Sequence, residues 1–447
     1  MKLLRVLITA SFALLLAGQA LAQSLIRDTE IEETLREFGD PIIRAAGLNP
    51  KSVDIYIVND PSLNAFVTRG QKVFFHTGIL VEFETPNQLK GVMAHEVGHI
   101  ASGHLARSSE TQRSAYGTFL VAAGIGLAAI LAGEGQAGAA ILGSSQQFAV
   151  LDVLRYSRIN ESSADQAGAN YLEISGQSGR GLIEFFEKFR YQEVMSEQGR
   201  FPYFRSHPLS SARIDNLREV VDESPYRDEI DSPEDIRRMQ IMQAKLRGFI
   251  DPPQTTFTKF PSSDQSEAAR LARAVAHFRA ANLKEGLVSV DSLIEEFPDN
   301  PYYHELRGEI LYKSGKARLA QPSLRNAIKL KSDAPLLKQA LAQSLIDENS
   351  TDGIIEAVDL LKDVLQAEPE NGYSWYLLSQ AYGYQNKKGL AQYAVAEQAY
   401  ARGDLRRATS FAARAMEQIP RDTPQYRRAN DIVVISDAQL AQDSKRR

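Results

Sequence analysis

Two histidines four positions apart, with a glutamate directly after the first, are the residues of this chain best suited to chemistry: His95-Glu96-Val97-Gly98-His99. On a helix, residues four apart share one face, so both imidazoles can bind a single zinc ion. Glu96 follows the first ligand, where its carboxylate can take a proton from a water held by the metal. Zinc brings the pKa of that water toward neutrality, and a neighbouring base makes it a nucleophile on an amide carbonyl. Five residues also match by chance in a long chain, and a helix can carry a histidine pair in its core or on its surface. The third ligand therefore decides the reading.

His104 is one candidate, but a histidine that extends the pattern on the same segment needs Gly three and His six positions after the second ligand. Those positions hold Ser102 and Leu105. The other candidate is Glu161, within Asn160-Glu161-Ser162-Ser163-Ala164-Asp165, which completes a two-histidine, one-glutamate set and leaves a fourth position for water. Asp165, one helical turn later, is placed to accept the free ring N–H of a ligand histidine, with His95 the expected donor. The chain has no cysteine, so a transition metal must be held by nitrogen and oxygen. One Zn2+ per chain is expected, on His95, His99 and Glu161.

With these two segments and a third, Ser206-His207-Pro208 followed by Arg213, the sequence resembles the gluzincin family of the CAAX prenyl proteases and HtpX over roughly residues 30 to 250. The resemblance implies a zinc endopeptidase with Glu96 as catalytic base. It gives His207 two roles that stay open: donor to the developing oxyanion, or fourth zinc ligand in a closed, self-blocked state. A loop histidine before the helix that starts near Leu209 is the structural alternative. Arg213 is expected to anchor that loop to an acidic partner. Unlike the membrane-embedded prenyl proteases, this chain shows no set of convincing spans. Its export signal and C-terminal repeats liken it to a periplasmic branch of the family. That likeness implies unfolded or stalled outer-membrane proteins as substrates and the barrel-assembly machinery as a partner of the repeats.

The elements that must position these residues can be read in outline. A polar helix spans about Asp28 to Ala46, a β-branched strand Val53 to Val58, and a hairpin joins Leu63–Thr68 to Lys72–His76 through Arg69-Gly70-Gln71. The pattern turns helical from Pro86 to Ala106, and again over Leu151–Leu172, Gly181–Phe189 and Pro233–Leu246. Asn64, Ala65 and Phe66 open a strand that, at a sheet edge, could take an extended substrate as an added strand; an ordinary hairpin strand is the equal alternative. His104 is expected to orient the metal-site helix, His76 to be a strand residue, and His277 and His304 core or surface groups. The Ala/Gly/Leu-rich stretch 116–142 reads as two small-residue helices against the core, with contact to a membrane as the rival reading.

Beyond the pro- and asp-rich boundary at Asp251-Pro252-Pro253 and Pro261-Ser262-Ser263, small residues recur at a fixed interval. Pro335 stands 34 residues after Pro301, and Ala342 34 after Gly308. That period, with units around Trp375 and Ala408, reads as tetratricopeptide-like helix pairs presenting a surface to peptides or partner proteins. Glu348–Gly353 looks like a short insertion, and the last units overlap by half a repeat.

At the other end, Lys2 and Arg5 precede the apolar run Val6–Ala17 and Ala20-Leu21-Ala22, the pattern of a signal peptide cleaved near Ala22. Gln23, not cysteine, would start the mature chain, which excludes an N-terminal lipid anchor. A formal charge of -5 disfavours electrostatic nucleic-acid binding. The expected organisation is a signal peptide (1–22), an α+β, mostly helical zinc metallopeptidase domain (23–250), a linker (251–265) and an all-α repeat domain (266–447), in the periplasm. The rival from another class is a chaperone or assembly scaffold working through its repeats while the metal site stays blocked. Zinc storage is disfavoured, since one such site is a poor reservoir.

Overall fold

The structure, a computed structural model, describes residues 25–104, 158–195, 203 and 207–446. The expected signal peptide and the 116–142 stretch lie outside the described residues. The chain divides into a first unit built chiefly of Ile31–Leu246 and a second built chiefly of Arg247–Arg447.

The first unit is a small sheet with helices around it. Strands β1 (Leu25–Ile26), β2 (Asp54–Val58), β3 (Ala65–Thr68) and β4 (Lys72–His76) lie in the order β1-β2-β4-β3. The expected hairpin is the antiparallel pair β3/β4, with Ala65 opposite Phe75 and Thr68 opposite Lys72. Its turn needs two successive left-handed residues, Gly70 (φ 85°) and Gln71 (φ 57°), and glycine supplies one of them without strain. Two features go beyond the sequence reading: β2 pairs with β4 in parallel, and the two-residue β1 adds to the other side of β2. Among the described residues β3 is therefore an edge strand.

Alternation buries Val73 and Phe75 on one face of β4, and α1 (Thr29–Ala45) buries Leu35, Phe38 and Ile42. After the short α2 (Thr77–Glu82) comes α3 (Pro86–Ala101), the helix carrying His95 and His99. Thr85 caps it by accepting from the Gln88 N–H at 3.2 Å, Pro86 occupies the first turn, and left-handed Gly103 (φ 64°) ends it. Nearly every side chain from Pro86 to His99 is buried, so α3 is the central element of the unit and not a surface helix. A second helix, α4 (residues 158–174), crosses it at very short range, and α5 (Arg180–Met195) packs along it. The unit continues through α6 (Ser211–Glu223), capped by Ser210, into α7 (Pro233–Ile250).

The second unit is wholly helical. The expected linker holds a helix, α8 (Pro253–Lys259), with Thr256 fully buried: the proline pair that stops α7 also suits a first helical turn. Five helix pairs follow: α9 (Glu267–Arg279) with α10 (Leu283–Glu296), α11 (Pro301–Lys313) with α12 (Ala317–Leu330), α13 (Pro335–Glu348) with α14 (Thr351–Ala367), α15 (Gly372–Tyr384) with α16 (Lys388–Ala401), and α17 (Leu405–Met416) with α18 (Pro424–Arg446). The insertion expected at 348–353 is absorbed by a longer second helix, 17 residues in α14 against 14 in α12. The last units do not overlap; each is a separate pair. Gly308 lies where a Cβ would meet Leu324 at 2.6 Å, so the small-residue period marks the closest approach of paired helices.

Candidate metal centre

The carboxylates reach the histidines because α3 and α4 touch backbone to backbone. A Cβ on Gly98 would stand 2.8 Å from the Ala164 carbonyl oxygen, and one on Gly168 3.1 Å from the backbone of Ala94 and His95. Gly98 inside the histidine motif is thus a packing requirement of the site. The contact sets Glu161 and Asp165 against His95 and His99.

Four buried side chains converge: His95, His99, Glu161 and His207, whose ligand atoms all lie within 4.8 Å of one another. His95 Nε2 is 3.1 Å from His99 Nε2 and 3.2 Å from His207 Nδ1. Glu161 Oε2 lies 3.4 Å from His95 Nε2 and 3.1 Å from His207 Nδ1, and Oε1 is 3.4 Å from His99 Nε2. Ligands about 2.0–2.1 Å from a tetrahedral zinc ion stand about 3.3–3.4 Å apart, so these donors have the spacing of a closed four-ligand shell. The set is all nitrogen and oxygen, and it fits a metal ion.

Around it stands an orienting layer. Asp165 Oδ1 is 2.9 Å from His95 Nδ1. His104 Nδ1 is 3.0 Å from His99 Nδ1, so the far nitrogen of each motif histidine has a partner and its Nε2 is turned to the centre. Arg213 donates to both oxygens of Asp165 at 2.7 and 2.8 Å, and its third nitrogen reaches the Pro208 carbonyl at 2.8 Å and Glu161 at 3.1 Å. One guanidinium thereby ties the His207 loop to α4. Phe186 covers the other side, edge-on to His95 and beneath the Arg213 guanidinium.

The electrostatics follow from burial and crowding. Burial opposes charge on His95, but hydrogen bonds and charge from Asp165 and Glu161 override it and push the ring up to about 9. Burial and the neighbouring His95 push His99 down to about 2. Glu161 and Asp165 resist burial and sit well below the usual carboxylate range, held by His207 and His95 in one case and Arg213 and His95 in the other. Glu96 differs: burial raises its pKa, both its oxygens are buried without a hydrogen-bond partner, and His207 Nε2 is 3.6 Å away. A raised pKa makes a carboxylate a stronger base than one in water.

Every residue the sequence singled out for the centre is brought together there. His76 ends β4, its Nδ1 2.8 Å from the Ser62 hydroxyl; His277 packs on Phe257 and His304 caps onto the Pro298 carbonyl. Ala65 and Phe66 lie on strand β3, with Asn64 directly before it, and β3 packs beside α3. Sequence reasoning missed Tyr203. Its buried ring stacks on His207 with centroids 4.6 Å apart, its carbonyl accepts from the His207 N–H at 2.8 Å, and its own N–H donates to the Leu63 carbonyl at 3.2 Å, just before β3. An aromatic one helical turn before the histidine was the available signal.

Three of the buried donors come from two crossing helices beside a small sheet, and the family model for peptidase family M48 matches residues 29–221. The chain belongs to that family. Over most of its length it is similar to the beta-barrel assembly-enhancing protease of Escherichia coli (strain K12), 26% identical over 403 residues, 88% of this chain and 80% of the relative. Metalloprotease YcaL of the same strain is 30% identical over 184 residues, 40% of this chain and 67% of the relative. The mitochondrial metalloendopeptidase OMA1 of Schizosaccharomyces pombe is 29% identical over 190 residues, 42% of this chain and 52% of the relative. Among the described residues no helix is long and apolar enough to cross a membrane.

Proposed function

We propose that this chain is a periplasmic zinc-dependent endopeptidase that cleaves misfolded or stalled outer-membrane proteins and assists their assembly. The observation that carries the reading is the convergence of four buried donors beside Glu96, a buried carboxylate whose oxygens accept no hydrogen bond. His95, His99 and Glu161 would hold the zinc ion, which supplies Lewis acidity, making water more acidic and a carbonyl more electrophilic. Glu96 takes the proton of the attacking water and returns it to the departing amine. Asp165 and His104 hold the two ligand rings in register, and Arg213 anchors the His207 loop. The substrate lies along β3 as an added strand; Asn64 Oδ1, buried and without a partner, is an acceptor that such a strand could satisfy. The outer-membrane substrates rest on the name of the long-range relative, and the periplasm on the signal-like first 22 residues. The helix pairs are read as tetratricopeptide-like repeats that dock substrate or the barrel-assembly machinery.

One observation favours a second reading. His207 Nδ1 occupies the fourth vertex of the donor set, the position that open catalysis reserves for water. A chain resting in this state would act as a chaperone or scaffold through its repeats. Replacing Glu96 with Gln separates the two. Cleavage of an unfolded substrate should drop at least about a hundredfold, and the assembly phenotype with it. Survival of that phenotype without cleavage would favour the scaffold, and undiminished cleavage would overturn the peptidase mechanism. Metal analysis of the purified chain should return one zinc per chain.

A further inference from the structure

On earlier helices of the second unit, Arg270, Arg307 and Arg325 each reach a carboxylate of a neighbouring helix. Helix α17 is different. Its Arg406, Arg407 and Arg414 are exposed, and among the described residues none of them meets a carboxylate. Residues 402–428 hold seven arginines, no lysine and three carboxylates, in a chain whose formal charge is -5. Asp404 is engaged in capping α17, where it accepts the Arg407 N–H at 3.2 Å, while Glu417 and Asp422 lie past the last turn. Arg406, Ser410 and Arg414 follow one another at intervals of four and so form one ridge, with Arg407 beside it. The opposite face holds Ala408, Ala412 and Ala415, all fully buried. Phe411 lies between two of the cations: the guanidinium carbons of Arg407 and Arg414 stand 5.6 and 5.2 Å from its ring centre. A guanidinium held against an aromatic ring has less freedom left to lose when it takes an anion.

We propose that the outer face of α17 rests on an anionic membrane surface, with Arg406, Arg407 and Arg414 on lipid phosphates and Phe411 at the level of the headgroups. Guanidiniums without a carboxylate call for an anion, and the planar fork of arginine meets phosphate oxygens with two hydrogen bonds. From Arg406 to Arg414 the ridge runs about 12 Å, more than one small anion bridges, so the partner presents repeated anionic groups. A helix ridge is convex and suits a broad surface better than a single extended chain, which needs a groove. An aromatic ring flanked by cations is also the pairing of helices that lie in a membrane interface. The contact is peripheral, since α17 has 12 residues and no described helix is long and apolar enough to cross a membrane. A nucleic acid would offer the same phosphates; the choice of a membrane rests on the export read from the first 22 residues, and not on the metal centre.

The test uses the chain from Gln23, the expected mature start, in co-sedimentation with vesicles of phosphatidylcholine alone or mixed with phosphatidylglycerol. The anionic vesicles should bind at least about tenfold more tightly, and added salt should weaken that binding. The Arg406→Gln/Arg407→Gln/Arg414→Gln variant should lose the preference while keeping its melting temperature and whatever cleavage the unaltered chain shows. A chain that prefers anionic vesicles yet cleaves nothing would support this inference and count against the peptidase reading alone. Equal binding to both kinds of vesicle would overturn the proposal. So would retention of the preference in the triple variant. Binding of polyglutamate or a DNA oligonucleotide that the variant loses, with no binding to vesicles, would overturn it as well and assign the face to a soluble polyanion.

Discussion

Asp165 carries two loads, turning His95 toward the centre and neutralising Arg213, and the two can be measured apart. Asp165→Asn keeps the volume but removes the charge that Arg213 grips with two nitrogens. Loss of such an orienting partner typically lowers metal affinity by about 10–100-fold, which a competitive zinc titration reads. Arg213 retains Glu161 and the Pro208 carbonyl, so the stability loss should stay at or below about 3 kcal/mol, short of a fully orphaned buried charge. An unchanged zinc affinity would show that His95 is oriented without Asp165. These residues were legible because their spacing is local: one turn of helix fixes His95 to His99, one turn fixes Glu161 to Asp165, and the fold brings the pairs together. Tyr203 was not legible, since a lone aromatic acquires its role only from the ring the fold lays against it. The approach of His207 Nδ1 to His95 and Glu161 likewise comes from the fold, and spacing left it open.

The helix pair α3/α4 sets a contest between propensity and sterics at Gly98. Alanine in a helix interior is favoured over glycine by about 1 kcal/mol. Against that, its methyl would stand 2.8 Å from the Ala164 carbonyl oxygen, a backbone atom that cannot swing aside. Overpacking of this kind costs about 1–3 kcal/mol, so sterics win. Gly98→Ala should lower the melting temperature and weaken zinc binding together, because Glu161 and Asp165 ride on the displaced helix; a variant that melts higher and binds zinc normally would refute the close-approach argument. In the sheet, His76 gives a pH test. Burial lowers its pKa from 6.5, with Asp60 only partly offsetting. The unfolded chain therefore takes the proton more readily, so this contribution is complete above pH 6.5 and lost as pH falls below it. Melting temperatures between pH 7.5 and 5 should fall less steeply in His76→Gln. The hairpin was visible in its turn residues, but the parallel pairing of β2 with β4 was not: it joins segments through a connection whose length is compatible with several sheet orders.

The whole chain joins a unit that holds every candidate metal ligand to a unit that holds none of them. The prolines and the 34-residue period pointed to a linker at 251–265, and the division between the units falls at Leu246/Arg247, before it. The helix α8 inside that linker was not legible, because a proline pair both stops one helix and starts another. This division predicts how the molecule unfolds. A ligand that binds only the folded state at about 1,000 times its Kd stabilises by about 4 kcal/mol. For a unit of this size that is a shift of about 10 °C. The only tryptophan of the chain, Trp375, lies in the second unit, donates to the Pro369 carbonyl at 2.8 Å and packs edge-on against Tyr393. Its fluorescence therefore reports the repeats alone, while far-ultraviolet circular dichroism reports helices in both units. Stripping the metal with a chelator should move the dichroism transition of the first unit down by about 10 °C and leave the Trp375 transition in place. Readdition of zinc should restore the first. If the fluorescence transition falls by the same amount, the two units unfold as one, and the metal centre supports the repeats as well as its own helices.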